Sequence, residues 1–136
     1  MSAAPRTILV VDDEAPLRRV LERSLARQGL RVIGAGSAET AYELLATVQP
    51  EALLLDIHLP TMSGLALYLA IVHRWPAFEG RIAIMTGDAE AEEVRTWLER
   101  HQCVVIRKPF NLRELTDWLT GVFRIDEERA RGGAGA

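Results

Sequence analysis

The sequence predicts a doubly wound α/β domain, a five-stranded parallel sheet with helices on both faces. Two observations carry this reading. Short β-like runs alternate with longer stretches of helical period five times over, with no repeat or low-complexity block between them. Several of the short runs are apolar without alternation, as strands covered on both faces must be. The strand candidates are "TILVV" (7–11), "RVIGA" (31–35), "ALLLD" (52–56), "RIAIMT" (81–86) and "VVI" (104–106). Right-handed crossovers between parallel strands then put helices on both sides of the sheet.

The first helix is expected from Leu17, Val20, Leu21, Ser24 and Leu25 on one face, with Pro16 in its first turn and Gly29 as its stop. Ser37 caps a second helix whose Ala41, Leu44, Leu45 and Val48 face the sheet, and Pro50 follows its end. Leu65, Leu69, Ile71 and Val72 mark a third, broken by Pro76. Asp88 is a candidate cap for a fourth, with Val94, Trp97 and Leu98 as a thin stripe. Asn111 and Glu114 make a capping box for a fifth, whose Leu112, Leu115, Leu119 and Val122 form the clearest stripe in the chain. After Ile125, "DEERARGGAGA" has no core-forming pattern and reads as a frayed helix end running into a tail or linker, so the expected division is a domain over 1–124 and a tail over 125–136.

Composition narrows the classes. A chain of 136 residues, 49% apolar and 26% charged, can enclose one core without disulfides or a structural metal. The net charge of -3 gives no reason to expect direct nucleic-acid binding. The single cysteine, Cys103, cannot form an internal disulfide, no signal-peptide pattern opens the chain, and runs such as "ILVV" and "ALLL" are far short of the ~20 residues that span a bilayer. A cytoplasmic protein without membrane attachment of its own is the expectation.

Ligands of doubly wound sheets bind beyond the carboxyl ends of the strands. Asp12 and Asp13 close strand 1, Asp56 closes strand 3, Thr86 closes strand 4 and Lys108 closes strand 5. A parallel sheet gathers all five at one edge, where three carboxylates repel one another unless a cation neutralises them. A hard, oxygen-seeking ion such as Mg²⁺ suits that donor set. A carboxylate nucleophile, a Lewis acid, a hydroxyl and an ammonium together suit a transferring phosphoryl group.

In that order and at those strand ends, "VVDDE", "LLLDIHLPTMSG", "IMTGD" and "IRKPF" resemble the receiver domain of two-component response regulators, from residue 6 to about 123. The resemblance implies the flavodoxin-like strand order 2-1-3-4-5. It implies that Asp56 accepts a phosphoryl group from a phosphohistidine on a partner histidine kinase or phosphotransfer protein. It also implies that Asp13, Asp56 and the backbone carbonyl of His58 bind Mg²⁺ directly, with Asp12 acting through water, that Thr86 and Lys108 grip the phosphoryl oxygens, and that the bond before Pro109 is cis. The output surface it implies is the helix 4/strand 5/helix 5 face, which is also the candidate homodimer face. One departure stands out. The strand 5 position that carries a switching aromatic in many receivers is Val105 here, so the signal is expected to leave through the backbone at Thr86–Asp88 and the fourth helix.

Blander readings stand beside these. Asp12 and Asp13 alone would pass for a solvated turn pair, and Lys108 for a surface lysine; their company argues otherwise. The side chains of His58 and Asp88 stay unassigned. His73, His101 and Cys103 are too scattered for a zinc set and read as surface histidines and a buried thiol. Trp97 and Trp118 read as packed on their helices or as part of a partner face. An aspartyl-nucleophile phosphatase resembles this chain less, since His58 stands where its second aspartate would, and flavin binding is disfavoured by the acidic "DDEA" loop. A receiver of a hybrid kinase and a receiver-like module that is never phosphorylated both remain open at this point.

Overall fold

The apolar runs become five parallel strands in the computed structural model of the chain, which describes residues 5–87, 91–101 and 103–135. They are β1 (Thr7–Val11), β2 (Arg31–Ala35), β3 (Ala52–Asp56), β4 (Ile82–Thr86) and β5 (Val104–Arg107), paired in the order β2-β1-β3-β4-β5. Register aligns Val11 with Ala35 and Leu55, Asp56 with Met85, and Thr86 with Arg107, so the carboxyl ends lie level along one edge. The strand boundaries move slightly from expectation, with Arg81 outside β4 and Arg107 inside β5.

Five helices cover the sheet: α1 (Ala15–Ala26), α2 (Ala38–Leu45), α3 (Gly64–Arg74), α4 (Glu92–His101) and α5 (Leu112–Gly135). Alternate strand residues feed two separate cores. Ile8, Val10, Leu54, Met85 and Ile106 meet Leu21 and Leu25 of α1 and Leu115 and Leu119 of α5. Leu9, Val11, Leu53, Leu55 and Ile84 meet Ala41 and Leu45 of α2, Leu67, Tyr68 and Ile71 of α3, and Leu98 of α4. The central strand β3 is buried along its whole length, which is why its sequence shows no polar alternation.

Caps and stops follow from the local chemistry. The Ser37 hydroxyl accepts from the Thr40 N–H at 3.1 Å, and Ser63 does the same for Ala66 at 3.1 Å. Asn111 Oδ1 accepts from the Arg113 N–H at 2.8 Å at the start of α5. Pro16 sits in the first turn of α1, Gly29 takes φ +81° beyond its end, and α3 stops at Arg74 with a 3₁₀ turn over Pro76–Phe78 behind it. Asp88, the expected cap of α4, lies outside the described residues.

Three helix faces differ from the sequence reading. Val20 is 54% exposed, because Leu21 and Leu25 set the buried face of α1 and Val20 lies about 100° round from Leu21. Leu69 is 45% exposed, since α3 turns Leu67, Tyr68 and Ile71 inward instead, and Val48 falls beyond the end of α2. The last helix does not fray at Ile125 but continues to Gly135. Its polar extension is fixed by distant arginines: Arg81 forms a forked pair with Asp126, and Arg6 reaches Glu127 at 2.8 Å while lying over the Phe123 ring. Among the described residues no helix is long and apolar enough to cross a membrane.

Candidate functional site

The level carboxyl ends of β1, β3, β4 and β5 bring Asp12, Asp13, Asp56, Thr86 and Lys108 to one edge. Carboxylate oxygens of Asp12, Asp13 and Asp56 lie within 4.8 Å of one another, the one group of potential metal-ligating side chains found among the described residues. At that spacing each like-charge pair repels by at least about 3.5 kcal/mol at an effective dielectric of ~20. Lys108 offsets part of this. Its Nζ donates to Asp12 Oδ2 at 2.9 Å and stands 3.3 Å from Asp56 Oδ2. Three carboxylates against one ammonium leave an excess of negative charge that a divalent cation would balance, and the donor set is all oxygen, which fits a hard ion.

The three aspartates are held differently. Asp12 is fully buried and committed: its N–H donates to Ala35 O at 3.0 Å, its Oδ1 accepts from the Glu14 N–H at 2.9 Å, and its Oδ2 takes Lys108. Asp13 is exposed and lines an open cleft with His58, Thr61 and Met62. Asp56 is buried, with Oδ1 accepting from the His58 N–H at 3.2 Å. Burial pushes the Asp56 carboxyl above its ordinary range and the Asp12 charge adds to that, while Lys108 and the His58 N–H pull the other way. Burial works against the charge of Lys108, but the hydrogen bond to Asp12 and the charges of Asp56 and Asp12 outweigh it and hold the ammonium above the usual lysine value.

Lys108 reaches the carboxylates from a constrained loop. Its N–H donates to Thr86 O at 2.8 Å, which extends the β4–β5 ladder by one step, and the Lys108–Pro109 bond is cis. Thr86 is buried at the end of β4, and Val105, half-buried, packs into the core shared with α4. His58 is exposed. His73 is exposed as well, whereas His101 is stacked on Trp97 at 4.1 Å between ring centroids, with Nδ1 bonded to Trp97 O at 2.9 Å. Trp97 also packs edge-on against Tyr68 at 5.3 Å, which gives the thin stripe of α4 its anchorage.

The residue reasoning from sequence passed over most completely is Gly64. A Cβ placed there would lie 2.0 Å from the carbonyl oxygen of Asp56, and the Gly64 N–H donates to Ile57 O at 2.7 Å, so the start of α3 presses directly on the strand end that carries Asp56. The Ser-Gly pair that closes "LLLDIHLPTMSG" was the available signal. Gly64→Ala is expected to cost about 1–3 kcal/mol of stability, as a backbone-to-backbone overlap that no rotamer can relieve. Chemical denaturation checks this, and an unchanged midpoint would contradict it.

An edge-clustered acidic triad with a bridging lysine on a 2-1-3-4-5 parallel sheet defines a CheY-like receiver of two-component signalling. The chain belongs to the response regulator receiver domain family, whose model matches residues 8–120. It is 32% identical over 119 residues to the phosphate regulon transcriptional regulatory protein PhoB of Pseudomonas aeruginosa, an alignment covering 88% of this chain and 52% of that protein. The chain thus spans about half the length of that relative. In fold it is similar to the signal receiver domain of an HD domain-containing protein from Pseudomonas fluorescens Pf-5, with TM-score 0.82, 21% identity and 96% of both chains covered. It is similar also to the response regulator TrrA of Thermotoga maritima in complex with Mg²⁺-BeF, with TM-score 0.75 and 26% identity over 86% of this chain and 98% of that one.

Proposed function

We propose that this receiver accepts a phosphoryl group on Asp56 from a phosphohistidine of a partner histidine kinase or phosphotransfer protein, and that the transfer depends on Mg²⁺. The observation that carries this is Lys108 spanning Asp12 and Asp56 beside the exposed carboxylate of Asp13. An Asp56 carboxylate oxygen bonds to phosphorus as the phosphorus–nitrogen bond breaks, and the electron pair of that bond returns to the imidazole. Asp13, Asp56 and the His58 carbonyl would hold the metal directly. Asp12 would act through water, a role supported by the commitment of both its carboxylate oxygens to Glu14 and Lys108. When bound, the ion supplies charge stabilisation to the transferring group. Lys108 moves its ammonium toward the phosphoryl oxygens, and the Thr86 hydroxyl takes another of them.

The receiver unit is assigned to residues 1–124, with 125–136 as a C-terminal tail or linker whose first residues are held by Arg81 and Arg6. The switching surface is the α4/β5/α5 face, also the candidate homodimer face, and the chain acts in the cytoplasm as a signalling module and not as an enzyme on other substrates. With Val105 in β5 no large ring is available to change rotamer, so coupling runs through Thr86 and α4.

The metal part of this reading is tested by titrating Mg²⁺ into the wild type and Asp13→Ala by calorimetry. Binding to the wild type and loss in the variant are expected. Equal affinity in both would refute the ligand set.

A further inference from the structure

We propose that Arg18 of α1 is a positioning residue for the acidic pair, and that Gly34 and Gly36 are small in order to seat it. This rests on the Mg²⁺ reading above and adds to it a residue outside the site. The Arg18 Nη1 donates to the main-chain carbonyl of Asp12 at 2.6 Å. That carbonyl belongs to the planar peptide unit leading into Asp13, so its orientation sets where the Asp13 backbone, and hence its exposed carboxylate, begins.

Asp12 is tied at its N–H by Ala35, at Oδ1 by Glu14 and at Oδ2 by Lys108, and Arg18 is the partner that fixes its remaining polar group. A charge-assisted bond of that length is among the stronger restraints a side chain can place on a loop.

The path to Asp12 runs over Gly34 of β2 and over Gly36, the residue directly after that strand. A Cβ on Gly36 would stand 3.3 Å from Arg18 Nη1, and a Cβ on Gly34 would stand 3.3 Å from Arg18 Cδ and 2.7 Å from Glu22 Oε1. Neither glycine has a left-handed φ, so what this strand uses is their lack of a side chain and not their conformational freedom. Arg18 and Glu22, one turn apart on α1, thus lie together in a channel that "GAG" (34–36) leaves open.

The test compares wild type, Arg18→Met, Arg18→Lys and Gly36→Ala, by Mg²⁺ calorimetry and by the amide NMR signals of Asp13 and Glu14 in metal-free protein. Arg18→Met keeps the stem but removes the donor, and should weaken Mg²⁺ binding about tenfold, the scale of lost outer-shell support, while shifting both amides. Arg18→Lys should recover most of the loss, which a packing role alone would not predict from a change of head group. Gly36→Ala, pushing on Nη1 without altering charge, should give a smaller loss in the same direction; it decides the matter if Arg18→Met does not fold. Wild-type affinity and unshifted amides in both Arg18→Met and Gly36→Ala, with Asp13→Ala unable to bind, would overturn the role of Arg18 and leave the metal reading standing. A wild type that binds no Mg²⁺ would overturn the metal reading and this inference with it.

Discussion

Replacing Lys108 by alanine is expected to destabilise the metal-free protein by about 2–3 kcal/mol. Removing one partner of a buried ion pair strands the other, and breaking such pairs typically costs ~3–5 kcal/mol. Here the cost is reduced because a fifth of the lysine side chain is open to water, while Asp12 is fully enclosed. Without the ammonium, Asp12 and Asp56 face each other and Asp13 with no neutralising contact from the loop after β5. Mg²⁺ should restore much of the loss, since the lysine and the cation compensate the same carboxylates. Lys108→Ala should therefore bind Mg²⁺ at least as tightly as the wild type. Urea denaturation with and without Mg²⁺ measures both effects. A variant as stable as wild type without metal, or one that Mg²⁺ fails to rescue, would contradict this account of the ion pair.

Asp56→Asn should act in the opposite direction, raising the stability of the metal-free protein at neutral pH, because it removes an ionised carboxylate from a desolvated site. Burial, with Asp12 in support, raises the Asp56 pKa above its unfolded value despite Lys108 and the His58 N–H. A raised carboxyl favours folding fully below the unfolded pKa, and that contribution is lost as pH rises through the folded one. At pH 7 the wild type therefore bears the cost of an ionised, desolvated carboxylate that asparagine does not. The stability difference should be present at pH 7 and shrink toward zero as pH falls to about 4 and below. Thermal melts of the pair across that range test the sign. A difference that grows on acidification would reverse it.

How much of this could be read beforehand varies with the kind of interaction. The strands were legible because burial on both faces leaves a composition without alternation, their order followed only from the family resemblance, and the site followed because parallel strands must present their ends together. Asp56 at the tip of "ALLLD" is legible in this sense. Helix faces were less so: Val20 and Leu69 match an apolar stripe but lie outside the arc that the neighbouring leucines and Ile71 bury. The continuation of α5 was hidden because "DEERAR" carries no apolar period, and its support comes from Arg81 and Arg6, which are 45 and 121 residues distant from their partners. Arg18 and Gly64 were hidden for a related reason. Each acts on a main-chain carbonyl, of Asp12 and of Asp56, and a carbonyl leaves no mark in the sequence.

The central claim is that Asp56 is the phosphoacceptor, and it is tested most directly by intact-protein mass after incubation with acetyl phosphate and Mg²⁺. The wild type should gain the mass of one phosphate, Asp56→Asn should gain none, and chelating the metal should abolish the gain in the wild type. Equal labelling of wild type and Asp56→Asn, or no labelling of the wild type under conditions where it binds Mg²⁺, would contradict it.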